Sequence, residues 1–447
     1  MRIARFALLL ACSLPVAVSL PAQQPQQVQL TGTWLVTMDL LGNPAYSKLE
    51  LTQSGDKLTG NFNGDKLQGQ VQGANLHLLS TDDQGNTGEA NAQITQNASG
   101  IAFAGKVVFV NKGDESNPEQ YTFTATRYPK RYQGSSQRRD FTPTVFYRQF
   151  SHSYQPVLTI NPGDTLHTTT VDAGGTDEKG VHRVLGGNPE TGPFYIETAM
   201  PGDTLVVHIV HLKLNRDWAM SDDGIVDRAT DSDLAVKMKD GWKNIRWHLD
   251  SAKGIATPEK PGEHMAHYSI PLKPMLGCLA TAPRPTSAPP PTGDSGGFGG
   301  NMDFNEIVEG ATVYLPVRNP GALLYFGDGH AAQGDGELNG NALETSMDVE
   351  ITVDVIPGKN IASPRVESAT HIMSMGLGGS LEDALRGATA AMAEWLTEDY
   401  KLTPSEIAQL LGSSAEYRIS EVADRNAGIV LKLNKALLKN LAAPPPK

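Results

Sequence analysis

Ala322-Leu-Leu-Tyr-Phe-Gly-Asp-Gly-His-Ala-Ala-Gln-Gly-Asp-Gly-Glu-Leu-Asn-Gly-Asn-Ala-Leu-Glu344 is the stretch on which the reading of this chain turns. It opens as an apolar run, Ala322 to Phe326, with the length and aromatic content of a buried strand. Then Gly327, Gly329, Gly334, Gly336 and Gly340 punctuate a segment that also holds Asp328, His330, Asp335 and Glu337. This predicts a strand ending near Phe326 and delivering a tightly folded loop, because glycine lifts the steric bar to sharp turns. A rigid strand feeding such a loop is a common way to hold a site. Oxygen-rich side chains with one imidazole suit a hard or borderline divalent cation. The competing reading is a solvated acidic turn with a surface histidine. It fits poorly, since so apolar a strand rarely leads into a solvated turn without lysine or serine.

Outward from this stretch, the 447-residue chain carries 37 basic and 49 acidic residues, a net charge of −12. That balance argues against nucleic acid and anionic membrane surfaces as main partners. The length predicts two or three domains. Frequent glycine and proline with modest charge favour a turn-rich, β-dominated protein. At the N-terminus, Arg2 and Arg5 precede an apolar run from Phe6 to Leu20 that Pro15 interrupts, with small residues near its end at Ser19 and Ala22. This reads as a secretory signal over residues 1–22, too short and broken for a stable membrane span. An exported protein, periplasmic or secreted, is therefore expected. Leu9-Leu10-Ala11-Cys12 makes a poor lipoprotein box, so lipidation ranks second. With Cys12 gone, Cys278 is the one cysteine left, and no disulfide framework is available. Cys278 lies in an apolar run, where a buried inert thiol is commoner than a nucleophile.

Residues 23–130 read as a small all-β module. Asn63-Gly64 is a hairpin signal between Leu58-Thr-Gly-Asn-Phe62 and Leu67-Gln-Gly-Gln-Val71, and further short strands at Asn75–Leu79, Ile101–Val110 and Tyr121–Arg127 suggest a meander or barrel. Residues 131–144 read as a linker, and residues 145–447 as the second domain. There, Asn161-Pro-Gly-Asp164 and Met200-Pro-Gly-Asp203 each turn into a β-branched strand, with Glu309-Gly-Ala-Thr312 a looser third copy. Asp172 ends one such strand, as either a ligand or a turn cap. The Pro- and Gly-rich stretch 283–300 is a flexible loop or a lid, and it leads into Asn301-Met-Asp303. Toward the C-terminus, Ser380-Leu-Glu-Asp383 and Thr403-Pro-Ser-Glu406 cap two helices, the first with Leu381, Ala384, Leu385, Ala388, Met392, Trp395 and Leu396 at helical spacing.

Several long motifs resemble the acetamidase/formamidase family: Gly187-Asn-Pro-Glu-Thr-Gly-Pro-Phe-Tyr-Ile-Glu197, Met200-Pro-Gly-Asp203, Gly299-Gly-Asn-Met-Asp303 and Gly327-Asp-Gly-His-Ala-Ala-Gln-Gly-Asp-Gly-Glu337. The resemblance covers residues 145–440 and not the β module. It implies an α+β, predominantly β fold: a sandwich- or barrel-like β core with C-terminal helices. It also implies hydrolysis of small linear or cyclic amides, such as formamide or acetamide, to carboxylate and ammonia, and a bound divalent metal, zinc first and calcium second. Carried over by position, Asp172, Asp303, Asp328 and His330 are the expected metal ligands, Glu337 and Asp335 the proton carriers, and Asn301, Gly300 and Gly329 the substrate contacts. The division between ligands and base within the loop stays open. A metal would polarise the amide carbonyl and acidify a water, and a carboxylate would move that water's proton. The alternative is a non-catalytic extracytoplasmic binding protein on the same fold, and a homo-oligomer is compatible with either. If the signal is read correctly, N-terminal sequencing of protein recovered from the periplasm or medium gives a start between Ser19 and Gln23. A cytoplasmic protein still beginning at Met1 overturns it.

Overall fold

The computed structural model describes residues 28–98, 100–238, 241–439 and 441. The expected signal lies outside these residues. The chain divides into two compact units, one built around Leu49–Gln120 and the other around Tyr121–Lys447.

The N-terminal β module is an eight-stranded closed barrel in which every strand pairs antiparallel with its sequence neighbour and Gly32–Leu40 closes onto Glu119–Arg127. Asn63 and Gly64 both take positive φ, as the predicted hairpin requires. A barrel of eight strands has an interior that side chains alone can fill; here Trp34, Leu49, Leu51, Leu58, Leu76 and Phe103 are buried. Among the strands, Thr87–Asn97 escaped the sequence reading. Its Thr-Gly-Glu-Ala-Asn-Ala-Gln texture offers few large apolar residues to mark an alternation.

The second unit is built on two sheets, of eleven and nine strands. They face each other across one core, with Leu276, Leu279, Leu324 and Phe326 from one sheet and Leu205, Val207, Val349 and Ile351 from the other. The three turn-plus-strand units all fall in the nine-stranded sheet, as Thr165–Thr169, Thr204–Leu214 and Thr312–Pro316. Asp164 and Asp203 close their turns by accepting from the backbone N–H of Asn161 at 3.0 Å and of Met200 at 2.9 Å. Part of the expected linker is itself structured: Arg138–Asp140 pairs in parallel with Thr165–Thr169 at the sheet edge.

Met347–Ile356 alternates between core and outer face as a half-buried strand should. Met275–Thr281 and Leu324–His330 do not, being buried at every position. Their second face is covered by a smaller cluster containing Phe150, Cys278, Ala280 and Tyr325. The C-terminal part is less helical than its sequence reads. Helices Leu381–Tyr400 and Pro404–Ser414 are present, capped by Ser380 and by a Thr403–Glu406 capping box. Before and after them, His371–Gly378, Glu416–Ile419 and Ala427–Asn434 extend the nine-stranded sheet. Ala427–Asn434 is buried on both faces, so it shows no alternation to read. Among the described residues no helix is long and apolar enough to cross a membrane.

The long helix lies close on its sheet at Gly376, where an added Cβ would fall 1.9 Å from the Ala384 carbonyl oxygen and 2.4 Å from the Ala388 nitrogen. Both atoms are backbone and cannot rotate away. Gly376→Ala is expected to cost about 1–3 kcal/mol and to lower the melting temperature by about 2–4 °C per kcal/mol; calorimetry checks this. An unchanged melting temperature contradicts the packing.

Candidate active site

The central strand does not end at Phe326. It spans Leu324–His330, so Asp328 and His330 are strand residues rather than loop residues. Gly327 and Gly329 are there for close approach, not for turning. A Cβ at Gly327 would meet Glu190 Oε2 at 2.4 Å, and one at Gly329 would meet the Met347 side chain at 2.3 Å. Three candidate carboxylates sit on backbone that non-glycine residues rarely adopt: Asp303 at φ 39°, Asp328 at 51° and Glu337 at 50°. Such strain costs energy and persists where the surrounding structure over-determines it.

These positions bring the side chains together around His330. Its Nε2 lies 3.2 Å from Glu344 Oε1, 3.5 Å from Asp328 Oδ2 and 3.8 Å from Asp303 Oδ1. Despite these distances, Nε2 has no aligned hydrogen bond, and Asp303 Oδ1, Asp328 Oδ1 and Glu344 Oε2 also lack partners. Two sets of ligand atoms fall within 4.8 Å of one another: Asp303, Asp328 and His330, and His330, Glu337 and Glu344. An added Cβ at Gly277 would lie 2.5 Å from Asp303 Oδ1 and 2.6 Å from Asp328 Oδ2, so the two carboxylates meet over a residue that has no side chain to separate them.

The tautomer of His330 follows from its neighbour. Gln333 donates through Nε2 to the carbonyls of Asp303 at 2.6 Å and Ser420 at 3.1 Å, which turns its Oε1 to His330 Nδ1 at 2.8 Å. Nδ1 therefore carries the proton in the neutral ring, and the Nε2 lone pair faces the carboxylates. Without a cation, Nε2 would take a proton instead: burial alone lowers the His330 pKa, but Glu344 and Asp328 outweigh it and the net shift is well upward. Burial, reinforced by neighbouring acids, raises Asp303 and Glu337 well above the carboxylate range. A buried imidazole nitrogen amid unpaired carboxylate oxygens is a donor set that fits a divalent cation.

A second ring of polar groups supports this one. Asn301 Nδ2 donates to Asp303 Oδ2 at 2.6 Å and to Asp424 Oδ2 at 2.7 Å. The Asp424 backbone N–H donates to Glu421 Oε2 at 3.2 Å. Arg228 holds this turn by donating to the carbonyls of Val422, Asp424 and Arg425. Glu190, fully buried, has both oxygens unpartnered; the Cys278 thiol lies beside it without hydrogen-bond alignment. Burial and the adjacent Glu190 raise the Cys278 pKa well above a reactive value, so the thiol sits as an inert core group.

Of the residues expected from sequence, Asp303, Asp328, His330 and Glu337 converge. Asp172 does not join them. It caps its own turn by accepting from Thr176 N–H at 2.8 Å and pairs with buried Arg216 at 2.7 Å. Asp335 lies exposed outside the cluster; burial would raise its pKa, but hydrogen bonds from Arg418 and Asn305 hold it low. That leaves it a poor base. Gly300 and Gly329 lie in paired strands, where an added Cβ would strike the Asp294 carbonyl at 2.3 Å or Met347. Glu190, Glu344, Glu421 and Asp424 were missed. Glu344 closes the stretch that opened the reading and Glu190 sits inside a quoted motif, but nothing local marks either as inward-facing.

Residues 290–425 match the sequence pattern described as "Acetamidase/Formamidase family". An acetamidase of Mycolicibacterium smegmatis is 41% identical over 61 residues, 13% of this chain and 15% of that protein, so the match spans a small part of that relative's length. Two crystal structures are similar over far more. A predicted acetamidase/formamidase from Thermoanaerobacter tengcongensis superposes with a TM-score of 0.59 at 28% identity, covering 69% of this chain and 99% of that one. An acetamidase from Yersinia enterocolitica gives 0.59 at 29% identity, covering 68% and 94%.

The buried acids make a testable pH signature. Burial, then Asp328, raises Glu344 from 4.5 to about 8; burial, then Asp424, does the same for Glu421. A folded pKa above the unfolded one means that the native state binds more protons between those values, so stability falls as pH rises. The contribution is whole below pH 4.5 and lost by about pH 8. Chelator-treated protein should therefore melt lower at pH 8.5 than at pH 5, and by more than metal-saturated protein, in which a cation replaces the protons. Parallel melting curves with and without chelator contradict the assignment.

Proposed function

We propose that the chain is an amidase of the acetamidase/formamidase family, a reading supported by the match of residues 290–425 and by the likeness to the two crystal structures. Its substrates are small amides, formamide and acetamide among them, cleaved to carboxylate and ammonia with a divalent cation, zinc first, held by His330, Asp303 and Asp328. The single observation that carries this reading is the buried Nε2 of His330, without an aligned hydrogen bond, set 3.2 Å from Glu344, 3.5 Å from Asp328 and 3.8 Å from Asp303 carboxylate oxygens. The nitrogen ligand favours zinc over calcium, which prefers oxygen. The setting we propose is extracytoplasmic, supported by Arg2, Arg5 and the apolar run after them.

When bound, the cation would polarise the amide carbonyl and acidify a water, to a pKa of about 7 in the best cases. The protein's own groups do the remainder. The Gln333 bond holds the imidazole plane. Asn301 fixes one oxygen of Asp303 and leaves the other aimed at His330. Glu337 lies in the second cluster with His330 and Glu344. It would accept the water's proton on a carboxylate oxygen and return it to the leaving nitrogen. Burial keeps bulk water from competing for these contacts.

Ammonia release from a panel of small amides, with metal content measured on the same sample, tests the reading. His330→Ala should weaken metal affinity by about 10-fold or more and lose activity with it. Glu337→Gln should keep the metal while turnover falls by about 100-fold or more. Full metal retention in His330→Ala would remove the ligand assignment. Metal loss in Glu337→Gln would make Glu337 a ligand and shift the base to Glu344.

A further inference from the structure

The strand that brings Glu344 to His330 is two residues long, Glu344–Thr345. It pairs with Leu324–His330 on one side, Glu344 opposite His330, and with Trp218–Asp222 on the other, Glu344 opposite Met220. So short a strand has few ladder bonds with which to fix its place. Yet its carboxylate stands 3.2 Å from the imidazole nitrogen on which the site converges, and its second oxygen has no hydrogen-bond partner. The place of Glu344 must therefore come from what grips its backbone and the residues beside it.

Arg216 supplies that grip. It lies in the connection between Thr204–Leu214 and Trp218–Asp222, with its side chain 1% exposed. Nε donates to Thr345 Oγ1 and to the Trp218 carbonyl, both at 3.0 Å. Nη2 donates to the Glu344 carbonyl at 3.2 Å and to Asp172 Oδ2 at 2.7 Å. Nη1 reaches the carbonyls of Thr176 and Asp177, both at 3.4 Å. The guanidinium carbon lies 3.5 Å from the centroid of the Trp218 ring. Thr345 Oγ1 donates in turn to the same Trp218 carbonyl at 3.1 Å, and Ser346 Oγ donates to Asn215 Oδ1 at 2.6 Å. Two consecutive residues, Asn215 and Arg216, thus hold three consecutive ones, Glu344 to Ser346. An ion pair with Asp172 alone would need none of this, and a buried pair is by itself weak evidence of stabilisation. What the guanidinium adds is direction. Its donors are fixed in one plane, so the Glu344 carbonyl, the Thr345 hydroxyl and Asp172 take set places relative to one another.

We propose that Arg216 is a positioning residue that sets where the Glu344 carboxylate stands against His330, and through it how tightly the cluster holds a cation. The inference rests on the amidase reading for that cation and deepens it, naming a residue outside both sets of converging ligand atoms. The hydrogen bonds of Arg216 reach no ligand atom of the cluster, and they meet Glu344 at its carbonyl alone. Lysine would keep the charge beside Asp172. It has no planar fork, and so cannot span the Glu344 carbonyl, the Thr345 hydroxyl and the Trp218 carbonyl together. Partners that orient a metal-binding side chain from behind are commonly worth about 10–100-fold in metal affinity.

The test is a double-mutant cycle on the full chain, with Arg216→Lys, Glu344→Gln and both together. Zinc affinity is read by competition with a chromophoric chelator. The His330 ring is read by its nitrogen NMR shifts in metal-free protein at fixed pH, and folding by the melting temperature. Arg216→Lys alone should weaken zinc affinity by about 10-fold or more and move the ring shifts. In the Glu344→Gln background it should do neither, because Arg216 acts through that side chain. A merely structural loosening weakens zinc by the same factor in both backgrounds, and that result overturns the proposal. Unchanged zinc affinity in Arg216→Lys overturns it as well. If Arg216→Lys does not fold, Thr345→Val takes its place with the same expectations, since it removes one acceptor of the guanidinium at nearly constant volume. A wild type that binds no zinc and releases no ammonia from acetamide removes the amidase reading instead. The ring shifts then decide by the same rule: the positioning role stands if Arg216→Lys moves them only where Glu344 is present, and falls otherwise.

Discussion

The structure depends on one uncomfortable arrangement: carboxylates buried around a single imidazole nitrogen, with no side-chain cation among the described residues close enough to pair with them. The buried guanidinium of Arg216 pairs with Asp172 and meets Glu344 only at its backbone carbonyl. Uncompensated buried charge is among the most expensive things a fold can carry. The surroundings read as the means of enforcing it. Asp303, Asp328 and Glu337 are held at positive φ. Gly277 and Gly327 withhold a Cβ where carboxylates must pass, and Gln333 locks the ring. A free chain would relax each of these, and the two-sheet sandwich prevents it.

The sandwich does so by burying two adjacent strands on both faces. Met275–Thr281 and Leu324–His330 pair directly, Leu279 opposite Phe326 and Cys278 opposite Gly327. Their apolar halves lock into the core between the sheets. The polar end of the same pair then has no freedom to move toward water. Packing energy from Leu324, Tyr325 and Phe326 thus holds Asp328 and His330, a few residues on in the same strand, in a place that they would not choose. This is how a short apolar run beside a polar one converts hydrophobic burial into site geometry.

That juxtaposition is what made the stretch legible. The abrupt change from Leu-Leu-Tyr-Phe to Gly-Asp-Gly-His pointed to the site, and the motifs pointed to the family. The mechanism inferred for the glycines was wrong in kind. Gly327 and Gly329 permit close approach by Glu190 and Met347, and one sequence cannot distinguish a glycine that turns from one that makes room. Asp172 showed the same ambiguity, ligand or turn cap, and the buried partner Arg216 settles its contacts. Glu190, Glu344 and Asp424 were illegible for another reason. Each is an ordinary acid in its local sequence, and only the tertiary fold brings Glu190 to Gly327, Glu344 to His330 and Asp424 to Asn301.

A count of charges limits how the site can work. Asp303, Asp328, Glu337 and Glu344 are buried around the same histidine, and Glu190 is buried against Gly327 in the same strand. One divalent cation offsets two negative charges, and three remain to be met by protons or hydrogen-bond donors. Burial, with Asp328 next, pushes Glu190 well up, and Glu190 lies farthest into the apolar face, against Cys278 and Gly327. It belongs to neither set of converging ligand atoms around His330, so it is placed to hold a proton rather than a cation. Glu337, held at positive φ, has the cluster's histidine working to lower its pKa against burial. A cation on His330 extends that effect. A cation held by His330, Asp303 and Asp328 would favour the ionised form of Glu337, which shares the second ligand set with His330. The acids are chemically alike, and what separates them is which of the two ligand sets around His330 each one joins.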